Sequence, residues 1–597
     1  MKLKNYWKQR TLISLPLDLS LGASHFSSAS ISEKLESWNR LIGGLAKGTP
    51  NAEFTLFEAS QMFSSGIKPN AFALTHLVRA TTNIGRDSFG QQLHSYVVRC
   101  GYYSDVYVSA ALIRFYVRMQ SLSNAYTVFV ETPQSNVVSW NTLISGYVHS
   151  GQFRKALSVF LQLERSDIYA DEFSFTSGLA ASGRLSFLKL GNSIHSKIMK
   201  FGMVSSIIVA NSLIDMYGKC GSVEDAVRVF SEMTDKNRIS WNSVIAATAN
   251  NGNIELAFKF MHHMPKPDTI SYNGLINGIA QVGNIRDAIQ ILSSMPSPNS
   301  SSWNSIITGY VNRNQAPEAL NIFSKMHSTN IQMDEFTFSI ILNGIAGISA
   351  LKWGTLIHCC TVKSGLDTSI VVGTALIDMY SKCGQVKNAE SVFHSLPERN
   401  LISWNAMITG YARNGDSAKV FHMFELLKIE RHTKPDSITF LSLLSACSHN
   451  QVPLEVAIRY FESMISDYRI APTVEHCCSM IRLMGQKKEL WRAESMIYEL
   501  GFESCGLVWR ALLGACATGR DLQLAEIAAS KLIELEGNED YVYVMMSNMY
   551  AYYGRWGDVN AIRGLMKKKH VRKEAGSSWI EVENVLPYTS TTEAVYP

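Results

Sequence analysis

Cysteine is scarce in this chain: ten in 597 residues, with no spacing that suggests a disulfide scaffold. Charge is also scarce. Asp, Glu, Lys and Arg make up 18% of the residues and apolar types 46%, the composition of a packed chain rather than a disordered one. Neither sign dominates. The 55 basic residues against 50 acidic ones leave a net charge of +5, too mild to attract a polyanion by electrostatics alone. Long apolar runs are missing. The longest stretch without Asp, Glu, Lys or Arg, Ala288 to Asn312, is 25 residues long and is broken by Pro296, Pro298, Asn299 and seven serines. A membrane-spanning helix needs about 20 predominantly apolar residues, so no membrane partner is expected.

The first 32 residues differ from the rest. Lys2, Lys4, Lys8 and Arg10 face a single acid, Asp18, among seven serines. Basic, Ser-rich and acid-poor is the composition of an organelle transit peptide. Pro16 and Asp18 interrupt the apolar run that a secretory signal would need. Arg10 and the serines lean toward the mitochondrion, with the chloroplast as the alternative.

What the chain has in abundance is repetition. Ser-Trp-Asn recurs at Ser37-Trp38-Asn39, Ser139-Trp140-Asn141, Ser240-Trp241-Asn242, Ser302-Trp303-Asn304 and Ser403-Trp404-Asn405, with Ser271-Tyr272-Asn273 as a variant. Leu213-Ile214-Asp215-Met216-Tyr217-Gly218-Lys219-Cys220-Gly221 returns almost unchanged from Leu376 to Gly384. A third signature, Gly-x-x-(Leu/Ile)-His-x-x-x-x-(Arg/Lys)-x-Gly, begins at Gly90, Gly191 and Gly354. The units that carry them are mostly 31 or 35 residues long.

Residues 137–171 illustrate one unit. Val138, Trp140, Leu143, Ile144 and Tyr147 space as one helical face. Gly151 stands where a helix should stop. Ala156, Val159, Phe160 and Leu163 form a second apolar face. Gly146 and Ala156 are small enough for the two helices to approach closely. Such a pair cannot bury its apolar faces alone, and stacked pairs sharing one core make a solenoid.

In these signatures and their order the chain resembles the pentatricopeptide repeat (PPR) proteins, in the subclass that alternates P, L and S units. The resemblance covers about residues 35–582 and implies an all-α fold, a right-handed α-solenoid superhelix. The units read as P 35–70, L 71–105, S 106–136, P 137–171, L 172–206, S 207–237, S-type 238–268 and 269–299, P 300–334, L 335–369, S 370–400, P 401–436, a longer L 437–473 and S 474–505. That makes about 14 repeats over residues 35–505. Residues 506–582 resemble the E-type extension of two helix pairs plus linker found in plant organellar RNA-editing factors. Val508 to Cys516 opens the first pair, and Ser547-Asn548-Met549-Tyr550 with Gly554-Arg555-Trp556 marks the second. Gly576 to Val582 resembles the segment that leads onward, with Ala575 where the family usually has proline. Residues 583–597 form a tail.

The resemblance implies that each unit reads one base of single-stranded RNA through two or three side chains. The fifth residue of a P or S unit carries the amide or hydroxyl that faces a base edge. The last residue tunes it. Carried over residue by residue, Asn141 with Asp171, Asn242 with Asp268, Asn304 with Asp334 and Asn405 with Asp436 should prefer U. Asn39 with Asn70, Asn211 with Asn237 and Asn273 with Asn299 should prefer C over U, and Thr374 with Asn400 should prefer A. Ala110 with Asn136 matches no rule, and neither do the last two units, with Leu441 and Cys478 in fifth place. L-type pairs such as Thr75 with Asp105 carry no firm preference. The expected sequence is C-N-N-U-N-Y-U-Y-U-N-A-U, with a target cytidine a few nucleotides further 3′. Second positions are apolar or aromatic in eleven of twelve units, Val138, Ile208, Ile239, Ile270, Val371 and Ile402 among them, as suits wedging between base faces. Two plainer readings stand beside these: a recurrent Asn that only caps a helix, and an apolar second residue that only packs between repeats.

No enzyme is expected. Zinc-dependent cytidine deamination requires H-x-E and P-C-x-x-C elements. None of the 15 histidines has Glu two places later, and neither Pro-Cys nor C-x-x-C occurs. No phosphate-binding loop or nucleophile elbow stands in a matching context. His358-Cys359-Cys360 and His476-Cys477-Cys478 invite a metal, but the sister units carry Ser95-Tyr96 and Ser196-Lys197 in place of Cys359-Cys360. No metal or cofactor is therefore expected. The run Lys567-Lys568-Lys569-His570-Val571-Arg572-Lys573 suits either a solvated helix end or a phosphate contact. By resemblance, the expected role is site recognition for organellar C-to-U editing, with a cytidine deaminase recruited in trans and helper proteins of the editing machinery. The alternatives are a factor for RNA stability, splicing or translation, and a protein-binding scaffold.

Overall fold

The computed structural model describes residues 68–571, together with Leu56 and Met62 and apart from Arg86, Gln134, Asn330, Arg431, His432, Asn450, Gln451, Asn538 and His570. The 1–32 segment, Asn39, most of the first P unit, Arg572, Lys573, the 576–582 segment and the 583–597 tail lie outside the described residues. Among the described residues 68–571 there are thirty α-helices, two short 3-10 turns, Tyr102–Ser104 and Met203–Ser205, and no strand. The chain divides into two compact units, residues 1–275 and 276–597. Each is an α-solenoid built from successive helix pairs.

The pair Val137–His149 and Phe153–Glu164 shows how local sequence makes the pattern. The first helix stops because Gly151 adopts φ 74°. Its N–H reaches the Val148 carbonyl, and Gln152 N–H reaches back to Tyr147, a Schellman arrangement. Ala156, Val159, Phe160 and Leu163 are buried, as are Trp140, Leu143, Ile144 and Tyr147. Val138 is not: it is 56% exposed and leaves the apolar face, because residue 138 falls on the opposite side of the helix from Leu143 and Tyr147. Gly146 also differs from expectation. A Cβ there would lie 2.7 Å from Val117 Cγ1, on the first helix of the preceding pair, Val106–Arg118. Its smallness serves stacking between neighbouring pairs rather than closure of its own.

The recurring signatures divide their labour along the same lines. In the four described Ser-Trp-Asn motifs the serine is fully buried, and Trp140, Trp303 and Trp404 enter the core. Trp140 meets the edge of Phe129 at 4.5 Å, and Trp404 meets Phe393 at 5.0 Å. The Gly-x-x-(Leu/Ile)-His signature joins an L unit to the S unit after it. His94, His195 and His358 each place Nδ1 2.8 Å from the hydroxyl of Tyr116, Tyr217 and Tyr380 respectively. The glycine four residues earlier lets the helices meet: a Cβ on Gly191 or Gly354 would stand 2.4 or 2.3 Å from the sulfur of Met216 or Met379. Burial lowers the pKa of all three histidines, which keeps them neutral partners of the tyrosines. These contacts occupy His358. His476 is occupied by Thr473 and by the Ser437 carbonyl, 2.9 Å from Nε2. Among the described residues no group of three or more His, Cys, Asp or Glu side chains could hold a metal ion.

In the second unit the last helix pairs, Gly506–Gly519 with Leu522–Glu536 and Asp540–Tyr552 with Trp556–Lys568, continue the stack without a break in the core. Met480, Ile481 and Met484 share one cluster with Trp509, Leu512, Leu513, Val542 and Met546. Lys567 and Lys568 lie in the last turn of the final helix, where cations complement its dipole.

Gly309 shows what close stacking demands. A Cβ there would stand 2.8 Å from the Ala280 carbonyl oxygen, while one on Gly347 would meet nothing within 4 Å. Gly309→Ala should therefore cost about 1–3 kcal/mol by overpacking, and Gly347→Ala should be neutral or mildly stabilising. Thermal melting of the two variants side by side checks this.

Candidate nucleic-acid interface

The last residue of each P or S unit stands at the N-cap of the next helix. Asn70 Oδ1 accepts the Ala73 N–H, Asn136 that of Ser139, Asn237 that of Ser240, Asp268 that of Ser271, Asn299 that of Ser302 and Asn400 that of Ser403. Asp171, Asp334 and Asp436 do the same for Ser174, Thr337 and Thr439. The plain capping reading thus holds for the last residue. It does not exclude the other, because the capping oxygen also meets the fifth residue of the unit it closes. Nδ2 donates to the aspartate from Asn141 at 2.8 Å, Asn405 at 2.9 Å, Asn304 at 3.2 Å and Asn242 at 3.4 Å. Asn211 reaches Asn237 at 3.5 Å. Residues about 30 apart in sequence come together because one helical pair separates the two first helices that carry them.

A third side chain completes these clusters, and the sequence reading missed it. The residue three places after the cap is Ser or Thr, wholly buried, and in Asp171/Ser174, Asp268/Ser271 and Asp334/Thr337 its oxygen also accepts the cap's own N–H. Ser174 Oγ, Ser271 Oγ and Thr439 Oγ1 further donate to the fifth-position Oδ1 of Asn141, Asn242 and Asn405, at 2.6, 2.7 and 2.6 Å. The signal was a Ser or Thr that recurs three places after the cap, as Ser174, Ser240, Ser271, Thr337 and Thr439 do. Burial works to raise the Asp268 carboxyl, but hydrogen bonds from Ser271 and Asn242 outweigh it and leave the pKa below the ordinary value. Asp334 is lowered likewise, against burial, by Thr337, Ser300 and Asn304.

Not every expected pair forms. Thr374 Oγ1 is buried without a partner, and Asn400 serves only the cap of the following helix. In L units the fifth hydroxyl turns to its own helix: Thr75 bonds the Ala71 carbonyl and Thr176 that of Phe173. Ser206 and Ser369, which end two L units, make no side-chain cap bond. The paired geometry therefore belongs to the P and S units.

In both compact units the second positions of the first helices are exposed. Phe72, Tyr107, Val138, Phe173, Ile208, Ile239, Ile270, Phe336, Val371, Ile402 and Ile438 lie between 37% and 70% exposed. An apolar residue that served only to pack between repeats would be covered. In each helix this residue stands at N2, three places before the buried or half-buried fifth residue. Toward the end of the second unit the fifth positions run on as Leu441, Cys478 and Arg510, which line a cleft of about 790 Å³ with Glu475, Arg482 and Tyr541. There Arg510 is paired with Glu536, at 2.9 Å, and with the cap-position Glu539. Burial pushes the Cys478 thiol up to about 11.

Family models of the PPR repeat match residues 135–181, 208–238, 239–266, 265–296, 298–347, 374–401 and 399–449. A putative pentatricopeptide repeat-containing protein of Arabidopsis thaliana is 52% identical over 94% of this chain and 96% of its own length. The chain belongs to the pentatricopeptide repeat family. An E motif model matches residues 520–581 of this PPR protein. Two further Arabidopsis relatives carry organelle names: one mitochondrial, 31% identical over 85% of this chain and 71% of its own length, and one chloroplastic, 32% identical over 87% and 54%. The fold resembles that of the maize PPR protein PPR10 in complex with an 18-nt psaJ RNA element, with TM-score 0.52 and 15% identity over 91% of this chain and 80% of that one.

Asp268 supplies a test of the cap. Asp268→Ala should cost about 1 kcal/mol of stability, whereas Asp268→Asn, which keeps the accepting oxygen, should cost less. With its folded pKa depressed, the Asp268 carboxylate contributes stability that is present above the usual carboxylate range, about 3.9, and is lost as pH falls through the lower folded value. The Asn variant should therefore show a flatter acid limb below about pH 4 in an acid-unfolding titration.

Proposed function

We propose that this PPR protein binds single-stranded RNA in a sequence-specific way and serves as a site-recognition factor for C-to-U editing of organellar transcripts. The observation that carries the binding proposal is the repeated contact between fifth-position Asn and cap-position Asp, which holds a polar group three places behind the exposed Val138, Ile239 and Ile402. A base wedged against one of these would present its edge to that polar group. PPR10, of similar fold, is described in complex with RNA. The E motif match supports the editing role, in which the extension recruits a cytidine deaminase in trans together with editing helper proteins. The chain itself acts in recognition, without a catalytic group of its own. Relatives named for both organelles support an organellar site of action, and the basic, serine-rich start favours the mitochondrion over the chloroplast.

Two outcomes test this reading. Asn405→Thr, with Asp436 retained, should move the preferred base at that position from U toward G in binding assays with RNAs varied at one nucleotide. An unchanged U preference would overturn the register of that repeat. The extension is best probed at its surface, since a cut at residue 506 would uncover the buried Met480, Ile481 and Met484. Tyr552 and Trp556 are 57% and 64% exposed. The double variant Tyr552→Ala, Trp556→Ala should keep RNA affinity within about twofold, as exposed sites allow, and should lower editing when it replaces the natural protein. Sequencing of organellar transcripts reads the outcome. Unaltered editing combined with changed transcript ends or introns would favour a processing role instead.

A further inference from the structure

The four Asn–Asp pairs look equivalent in sequence, yet the structure separates them into two kinds. In three, a buried hydroxyl from the next helix grips the carbonyl of the reading amide: Ser174 on Asn141, Ser271 on Asn242 and Thr439 on Asn405, at 2.6 to 2.7 Å. In the fourth, Thr337 Oγ1 lies 2.8 Å from Asp334 Oδ1, and the carbonyl oxygen of Asn304 is buried with no hydrogen-bond partner. Asn211 resembles the fourth. Ser240 Oγ lies 3.0 Å from Asn237 Oδ1, and the Asn211 carbonyl oxygen is buried and unpartnered.

We infer that the hydroxyl at the third position of the following helix is a positioning residue that sets how sharply each reading asparagine tells uracil from cytosine. The inference rests on the base-reading function proposed above.

The physical argument concerns the flip of one amide. With Nδ2 bonded to the aspartate and Oδ1 bonded to the hydroxyl, both edges of the Asn141, Asn242 and Asn405 amides are committed. Turning the amide over would bring its oxygen against a carboxylate and break both bonds. What remains free is the second Nδ2–H, a donor. The 4-position of the base distinguishes the pyrimidines: uracil carries an accepting O4 there, as thymine does, and cytosine a donating N4–H2. A fixed donor suits the first and meets the second donor to donor. Asn304 and Asn211 are held at one edge only. An orphaned buried carbonyl is itself unfavourable, so these amides gain by turning toward any base group that donates. They should tolerate cytosine better, although Asn304 carries the same Asn–Asp letters as the other three.

The hydroxyl has a single proton, and the aspartate oxygen competes for it at 2.9, 2.8 and 2.9 Å in the Ser174, Ser271 and Thr439 clusters. The shorter contact, in each case, is to the asparagine. The aspartate oxygen also receives a backbone N–H and the Asn Nδ2–H, so it can spare the hydroxyl while the asparagine carbonyl cannot.

The experiment measures binding of the full chain to RNAs carrying U or C in turn opposite Asn141, Asn242, Asn304 and Asn405. The expected U-over-C ratio is at least about threefold higher at Asn141, Asn242 and Asn405 than at Asn304, the scale of one hydrogen bond. Equal ratios at all four would overturn the inference and leave base reading intact. No discrimination at any of the four would overturn both. Thr439→Val removes the hydroxyl but keeps the shape, and Asp436 still caps the helix. It should lower the ratio opposite Asn405 by roughly threefold to tenfold and leave the ratio opposite Asn141 unchanged, while Thr439→Ser restores it. A Val variant that retains the full ratio would overturn the inference. Ser174→Ala, read opposite Asn141 by the same criterion, gives the answer where the Val substitution lowers folding stability.

Discussion

The capping hydrogen bond made by the Asn or Asp that closes a P or S unit is the constraint on which the rest of this structure depends. A helix N-terminus leaves backbone N–H groups without partners, and an Asn or Asp at the junction satisfies one of them. That requirement fixes an Asx oxygen at the same place in successive P and S units. It fixes, too, where the preceding unit ends. Because first helices stack on first helices, the oxygen lies against the fifth residue of the unit it closes, and a capping group becomes one half of a polar pair. Stability and the proposed recognition thus draw on a single atom, so the plain reading of the junction residue does not exclude the functional one.

Around this junction, small residues and buried hydroxyls set the distance between helices. Gly309 sits where a Cβ would strike the Ala280 carbonyl, and Gly191 and Gly354 sit where it would strike a methionine sulfur. The His–Tyr bonds from His94, His195 and His358 tie three of the L units to the S unit that follows. L units thereby contribute joints, while their fifth-position hydroxyls bond their own helices and leave the paired geometry to their neighbours. The alternation of unit types, read first as a pattern of letters, is at this level an alternation of tasks.

The end of the stack shows the same frame with different side chains. Arg510 occupies the fifth position of the first extension pair and Glu539 the cap position after it, so an ion pair replaces the amide and carboxylate of the array. Leu441 and Cys478 precede it with nothing comparable to offer a base. The polar pairs stop at Asn405 and Asp436, and beyond them the row of fifth positions opens into the cleft that Leu441, Cys478 and Arg510 line.

Helix pairs, unit lengths and the identity of fifth and last residues could all be read from the order of residues. Apolar spacing, stop glycines and capping residues act within a few positions of one another, and local chemistry of that range is written directly in a chain. The exposed second row was readable for the same reason: its period matches the unit. Tertiary structure alone decided which partners those residues take. Gly146 packs against the pair before its own, and Val138 leaves the apolar face that its spacing suggests. The buried serine and threonine hydroxyls, and the difference between Asn304 and Asn405, depend on contacts between residues about 30 apart. Whether a hydroxyl proton reaches an amide depends on how the two helices that carry them approach, and packing between helix pairs sets that approach rather than any residue's neighbours in sequence.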